Sequence, residues 1–343
     1  MNGYLMHKDT IVSRIENDIV LDESAFMPLQ LHKGASIEGW LASRAIDKHR
    51  TNSRLLKKVM RITDTSDIAT VLRAHAATVT DNYWFKVNGE ELEYKDILFN
   101  DDRYADVALF GTFESVSGAE KLNAGNSRSP ELTNIGSFEK CWKLHNGIWH
   151  MYKRENAREQ FSEIFICKLG QHFGYDMAVY EKHNDCIITQ DFTENKKYDL
   201  EPAIAIVGEN EDYSFSYKKL QEFSPEIAND FVKLIFMDTL CYNMDRHTNN
   251  YGVLRDAETG AVVKLAPNFD NNIALISRGY TNTEVSESDI LMMLWNEFIK
   301  ENDIKFEKPQ LTHEIVKDIA DSIDIDVDKK YVVEFIMNRY QMI

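Results

Sequence analysis

Between Tyr242 and Gly252 the chain sets an acid, a guanidinium, an imidazole and two adjacent amides close together: Asp245, Arg246, His247, Asn249 and Asn250. A second acidic element follows at Leu265-Ala266-Pro267-Asn268-Phe269-Asp270. The chemistry that suits this set is transfer of a phosphoryl group. That reaction asks the protein for a carboxylate beside the attacking hydroxyl. It also asks for an amide and a second carboxylate on the metal ions that bridge the nucleotide phosphates. In protein kinases four residues separate the catalytic Asp from the metal-binding Asn, and four separate Asp245 from Asn250. On this reading Asp245 is catalytic, while Asn250 and Asp270 hold Mg²⁺. Asp, Asn and Gly also gather at helix ends for backbone reasons alone; the second Asp, after the next strand-like run, lifts the pattern above a polar turn. Arg246 reads as a structural ion pair or an orienting group, and His247 as a packed hydrogen-bonding residue.

Several elements must position these groups. Ser224-Pro225-Glu226 is a helix start, with a capping hydroxyl and a proline in the first turn. Phe231, Val232, Leu234, Ile235, Met237 and Leu240 make that helix apolar enough to be buried, and it delivers Asp245 at its C-terminal end. Tyr251 to Leu254 and Val262 to Leu265 then read as a hairpin that brings Asn250 and Asp270 together, as ligands of one Mg²⁺ must be. Upstream, a polar loop, Ser129 to Lys140, enters a hairpin turned at Asn146-Gly147, a strong two-residue turn signal. Gly136, followed by Ser137, lets backbone N–H groups approach phosphates. Lys153, at the end of the return strand, would meet the α/β-phosphates as a point charge; the bland alternative is an exposed hairpin that ends in a lysine. Residues 155–174 read as a helix with Glu159 and Glu163 one turn apart. Glu163, beside the apolar face, is the favoured partner of Lys153, as a helix Glu is in kinases. Gln190, Asp191 and Phe192 follow a short strand, where a hinge would offer backbone hydrogen bonds to adenine. The expected cofactors are therefore ATP and Mg²⁺.

The whole chain of 343 residues has 43% apolar and 28% charged residues and a net charge of −17. This is a globular composition, and the charge argues against direct binding to nucleic acid or an anionic membrane. No run has the length of a membrane span, and charges at Lys8, Asp9 and Arg14 interrupt any signal-peptide core. A cytoplasmic location is expected, with export by a route needing no signal peptide left open. The four cysteines, Cys141, Cys167, Cys186 and Cys241, are far apart and read as buried thiols. Length and pattern suggest an N-terminal docking or regulatory subdomain over 1–115, a small lobe over 116–200 and a mostly helical large lobe over 201–343.

Asp245-Arg246-His247-x-x-Asn250, then Ala266-Pro267-x-x-Asp270, behind a loop ending Gly136-x-x-x-Lys140, resembles the HipA-like kinases, bacterial serine/threonine kinases of toxin–antitoxin systems. The resemblance covers roughly residues 125–300. It implies an α+β, two-lobed protein-kinase-like fold with a small β-rich lobe and a larger helical lobe. It also implies a protein substrate bearing Ser or Thr, and a HipB-like antitoxin or another regulator as partner. The family loop reads Ser-x-x-Gly-x-Gln-Glu-Lys, and its Ser is an autophosphorylation site that switches the kinase off. Thr133 takes that position, with Ser137 as a nearby alternative, and Phe138 replaces the Gln. Residues 1–115 show no obvious counterpart of the family's small β domain. The Asp-Arg-His-x-x-Asn pattern is also similar to that of phosphoinositide lipid kinases, but Arg278 is the one cation that follows Asp270 before Glu284, so a protein substrate is preferred. A nucleotide-binding pseudokinase and a metal-dependent phosphohydrolase are the other readings. The complete Asp/Asn/Asp set argues against the first, and the single nearby histidine argues against the second.

Overall fold

A computed structural model describes residues 1–63, 66–112, 128–284, 286 and 288–343. The chain divides into two compact units. The first comprises Met1–Arg154, Ile188–Glu201 and Leu254–Val262; the second comprises Glu155–Ile187, Pro202–Val253 and Val263–Ile343. This division does not follow the three consecutive segments drawn from the sequence, because the chain returns to the first unit twice. The expected boundary at 115/116 lies outside the described residues.

In the first unit, strands β1 (Gly3–His7), β2 (Thr10–Glu16), β3 (Ile19–Val20) and β4 (Tyr83–Val87) form a sheet of order β3-β2-β1-β4. The pairing is antiparallel, with Leu5 opposite Ser13 on one side and Phe85 on the other. Leu5, Val12, Ile15 and Phe85 are buried against Trp40 and Leu41 of the Glu38–Ser43 helix and Val71 of the Asp67–Leu72 helix. A Cβ at Gly3 would lie 2.4 Å from the carbonyl oxygen of Lys86, so the close approach of β1 to β4 requires glycine there. Arg255 ties distant segments of this unit. Its buried guanidinium donates to Glu201, to the Tyr83 hydroxyl and to the carbonyls of Met27 and Ala25.

The hairpin β5 (Lys140–His145) and β6 (Ile148–Lys153) turns where expected. Asn146 and Gly147 have φ of 52° and 80°, the left-handed pair that a two-residue hairpin turn demands. The remaining strands are β7 (Tyr180–His183), β8 (Cys186–Gln190), β9 (Tyr198–Pro202), β10 (Gly252–Asp256) and β11 (Val262–Leu265), in sheets of order β5-β6-β8-β7 and β11-β10-β9.

The second unit is mainly helical. Its Ala157–His172 helix starts in a capping box between Asn156 and Glu159. The Pro225–Cys241 helix starts as the sequence predicts, with the Ser224 hydroxyl accepting the Ile227 N–H, and ends at Tyr242 in the left-handed conformation. Its apolar faces pack on rings: Phe236 lies 4.8 Å from Phe306 and 5.9 Å from Trp295, and Phe231 lies 5.2 Å from Tyr251, centroid to centroid. Helices Tyr213–Gln221, Ile290–Glu301, His313–Asp321 and Lys329–Met342 complete this unit.

Candidate active site

In the second unit the geometry is organised by Arg246, whose side chain is almost fully buried. Its Nε and Nη2 grip both oxygens of Asp238 at 2.8 and 2.9 Å. Nη2 also donates to the side-chain oxygens of Asn268 (3.0 Å) and Asn271 (2.7 Å). Nη1 donates to the backbone carbonyls of Asn250 and Phe269. One rigid fork thus joins the end of the Pro225–Cys241 helix to both loops that carry the expected metal ligands. A planar guanidinium can satisfy acceptors in several directions at once, which a lysine cannot. Burial opposes the charge, but Asp238, with Asp270 and Glu163 further out, outweighs it and holds Arg246 above its ordinary pKa. This is the structural ion pair expected for Arg246, and its partner is a carboxylate eight positions earlier.

Asp245 stands half-buried on the loop between the helix and β10. Its N–H donates to the Asn243 side-chain oxygen at 3.1 Å, and Asn243 is anchored in turn on Asp238. The carbonyl of Asp245 accepts the Asn250 side-chain amide at 2.9 Å. That bond uses an Asn250 N–H and leaves the amide oxygen as its acceptor end. Asp270 has φ of 61°, a conformation that Asp tolerates better than bulky residues. It is pinned on both sides: the carbonyl before it is held by Arg246, and the N–H after it, on Asn271, donates to Glu163 at 2.8 Å. Burial pushes the Asp245 carboxyl above its usual range, and the negative charge of Asp270 adds to this against the opposing pull of His247. His247 accepts the Asn249 N–H, in keeping with a packing role.

Of the two candidate glutamates, Glu159 is taken by the helix cap, its carboxylate accepting the Asn156 N–H at 2.8 Å. Glu163 is fully buried and accepts the Asn271 N–H next to Asp270. The structure therefore brings Asp245, Asn250, Asp270 and Glu163 into one hydrogen-bonded assembly within the second unit.

The expected nucleotide residues lie in the first unit. Lys153 is buried at the end of β6, opposite Lys140 in the hairpin register. Gly136 has φ of 109°, which a side chain would strain. Ser137 is exposed, whereas Thr133 is buried and donates its hydroxyl to the Ala77 carbonyl at 2.7 Å. Of the hinge candidates, Gln190 is exposed and Phe192 half-buried. The Asp191 N–H donates to the Trp149 carbonyl at 2.9 Å, and its carboxylate accepts the Thr193 N–H and hydroxyl. Asp191 therefore has no backbone donor left for adenine.

Sequence reasoning missed Asp238, Asn243, Asn268 and Asn271, the cage around Arg246. Asp238 carried a signal: it is a lone acid in the apolar run Leu234-Ile235-Phe236-Met237-Asp238-Thr239-Leu240, where a carboxylate demands a buried cation.

No protein-family model and no curated protein matches this chain. Among solved structures, it is similar to HipA of Shewanella oneidensis MR-1, determined in a toxin–antitoxin complex with HipB and operator DNA. The TM-score is 0.59 over 99% of this chain and 96% of that one, at 10% identity. A second similar structure is CtkA, a proinflammatory kinase of Helicobacter pylori, with a TM-score of 0.46 over 60% of this chain and 88% of that one, at 15% identity. The HipA match extends over nearly the whole chain, and at this identity a shared fold leaves no common residue pattern to read. The chain has the HipA-like fold, mixed α and β with small antiparallel sheets and several helices.

Proposed function

We propose that this protein is an ATP- and Mg²⁺-dependent kinase of the HipA-like type that phosphorylates a Ser or Thr hydroxyl of a protein. The observation that carries the reading is the Arg246 fork, which holds the Asn250 and Asp270 loops side by side with Asp245 on the same anchored turn. The donor set suits the metal. A carboxylate and an amide oxygen are hard ligands, and Mg²⁺ usually binds through one or two protein groups with phosphates and water completing its shell. Among the described residues, no three His, Cys, Asp or Glu side chains gather closely enough to hold a metal by themselves, which suits a metal shared with a nucleotide better than a metallohydrolase cluster. When bound, the metal supplies charge neutralisation on the phosphates.

The roles assigned to the chain's own groups follow. Asp245 orients the acceptor hydroxyl and takes its proton, and its raised pKa makes it a better base than an ordinary Asp. Asn250 and Asp270 are the metal ligands. Lys153 and the backbone around Gly136 and Ser137 meet phosphate, and Glu163 serves as a positioning residue. Gln190, Asp191 and Phe192 are assigned to the adenine hinge, where Asp191 can offer its carbonyl but not its N–H. Autophosphorylation is assigned to Ser137, because Thr133 is buried with its hydroxyl engaged. By analogy with the HipA complex, a HipB-like partner or another regulator is proposed, as is a cytoplasmic location.

The test is incubation with γ-labelled ATP and Mg²⁺, with and without a chelator, beside the Asp245→Asn variant. Mass spectrometry of the 127–140 peptide follows. Incorporation in the wild type alone supports the kinase. ATP binding without transfer to any protein or to itself would make the chain a pseudokinase.

A further inference from the structure

The second unit holds a cavity of about 380 Å³ beside the catalytic turn, lined in part by Asn243, Met244 and Arg246. Its size is that of small-ligand sites. Four carboxylates stand around it, from Glu211, Asp212, Glu297 and Glu301. Among the described residues Arg246 is the cavity's one basic lining residue, and its guanidinium is already spent on Asp238 and the two loops. Asp212 caps a helix through the Phe215 N–H, and Glu301 accepts the Ser214 hydroxyl. Among the described residues, no hydrogen bond or ion pair holds Glu211 or Glu297. Between the carboxylates lies apolar surface. Phe298 and Leu291 form its buried part, and Ile290 and Met244 are left 53% and 40% exposed.

We infer that this cavity selects the protein substrate by seating a Lys or Arg side chain that lies close in sequence to the phosphorylated hydroxyl. The inference rests on the kinase reading and adds to it the substrate's chemistry. A long basic side chain lays its methylene stem on apolar surface and keeps its charged head among carboxylates, which is the arrangement the lining offers. An acidic segment would meet like charge, and a purely apolar one would strip water from carboxylates without replacing it. Met244 and Arg246 are the chain neighbours of Asp245, about 3.8 Å away from Cα to Cα, and an extended substrate advances about 3.3–3.6 Å per residue. The cavity thus adjoins the turn that carries Asp245, and the register is what an Arg walk along a peptide reads.

The experiment uses the full chain and fluorescein-labelled heptapeptides with a central Ser in an Ala background. One Arg is walked through the other positions, and a matched set carries Glu instead. Binding is read by anisotropy without nucleotide, and transfer by γ-labelled ATP and Mg²⁺. One or two Arg registers should bind, and be phosphorylated, about five- to tenfold better than their Glu counterparts, the scale of one or two part-exposed charge pairs. Glu211→Gln with Glu297→Gln should erase the preference, and Glu297→Lys should reverse it toward Glu. Both residues are exposed, so these variants should keep the wild-type melting curve. Transfer with no Arg preference, or a preference that survives the double variant, overturns the inference and leaves the kinase standing. Arg-dependent binding that the variants abolish, without transfer in any peptide, upholds the cavity's selectivity and removes the kinase.

Discussion

Replacing Arg246 by methionine removes the fork but keeps most of the side-chain volume. Asp238, 1% exposed, would then be a buried carboxylate whose remaining donor is the Asn243 side-chain amide. Stranding one member of a buried ion pair costs about 3–5 kcal/mol. The carbonyls of Asn250 and Phe269 and the amide oxygens of Asn268 and Asn271 would lose donors as well, at about 1–3 kcal/mol for a buried group left unsatisfied; these costs overlap and do not sum. A domain has about 5–15 kcal/mol in total, so the second unit of Arg246→Met should be severely weakened. The double variant Arg246→Met with Asp238→Leu separates two roles. It removes the stranded charge, so stability should return in large part, because apolar replacement of a buried pair is often neutral. The clamp on the Asn250 and Phe269 carbonyls stays broken, so transfer should remain low. Urea titration read by hydrogen exchange in the 238–252 peptide reports on the second unit alone, and γ-labelled ATP reports transfer. A double variant no more stable than the single one would refute the ion-pair argument. One with wild-type transfer would refute the clamp.

Asp245→Asn should lower transfer by about 10²–10⁴-fold, the usual share of a positioned base, with ATP binding kept, as isothermal titration would show. The raised pKa of Asp245 means its ionised form is disfavoured by the fold, so its contribution to stability is present at low pH and lost as pH rises through the folded value. Asp245→Asn should accordingly be at least as stable as the wild type at neutral pH; a clear loss in thermal denaturation would contradict the burial argument. By the same shift, transfer should fall as pH drops through a value above the ordinary Asp range, and Glu297→Gln should leave that profile in place. Ser137→Ala should abolish phosphate on the 127–140 peptide while Thr133→Ala leaves it, and the reverse result would mean that the Thr133 segment opens away from Ala77.

What the sequence determined by itself was local. The Ser224-Pro225 cap, the Asn146-Gly147 turn and the spacing of Asp245 and Asn250 depend on residues within a few positions of one another, and the structure places a helix start, a two-residue turn and one hydrogen-bonded turn there. Even the doubt between Glu159 and Glu163 had a local key, since Asn156 followed three residues later by Glu159 is a capping box. Tertiary structure alone decided the rest. Glu163 meets the N–H of Asn271, 108 positions away, and Thr133 gives its hydroxyl to Ala77; no periodicity encodes such partners. The strand Tyr198–Pro202 and the helix Tyr213–Gln221 had no distinct pattern either. They matter because they deliver Glu201 to Arg255 and carry one wall of the acidic cavity. Residue types and spacing state what chemistry a turn could do, whereas burial and long-range pairing decide which carboxylates are spent on structure and which remain to meet a substrate.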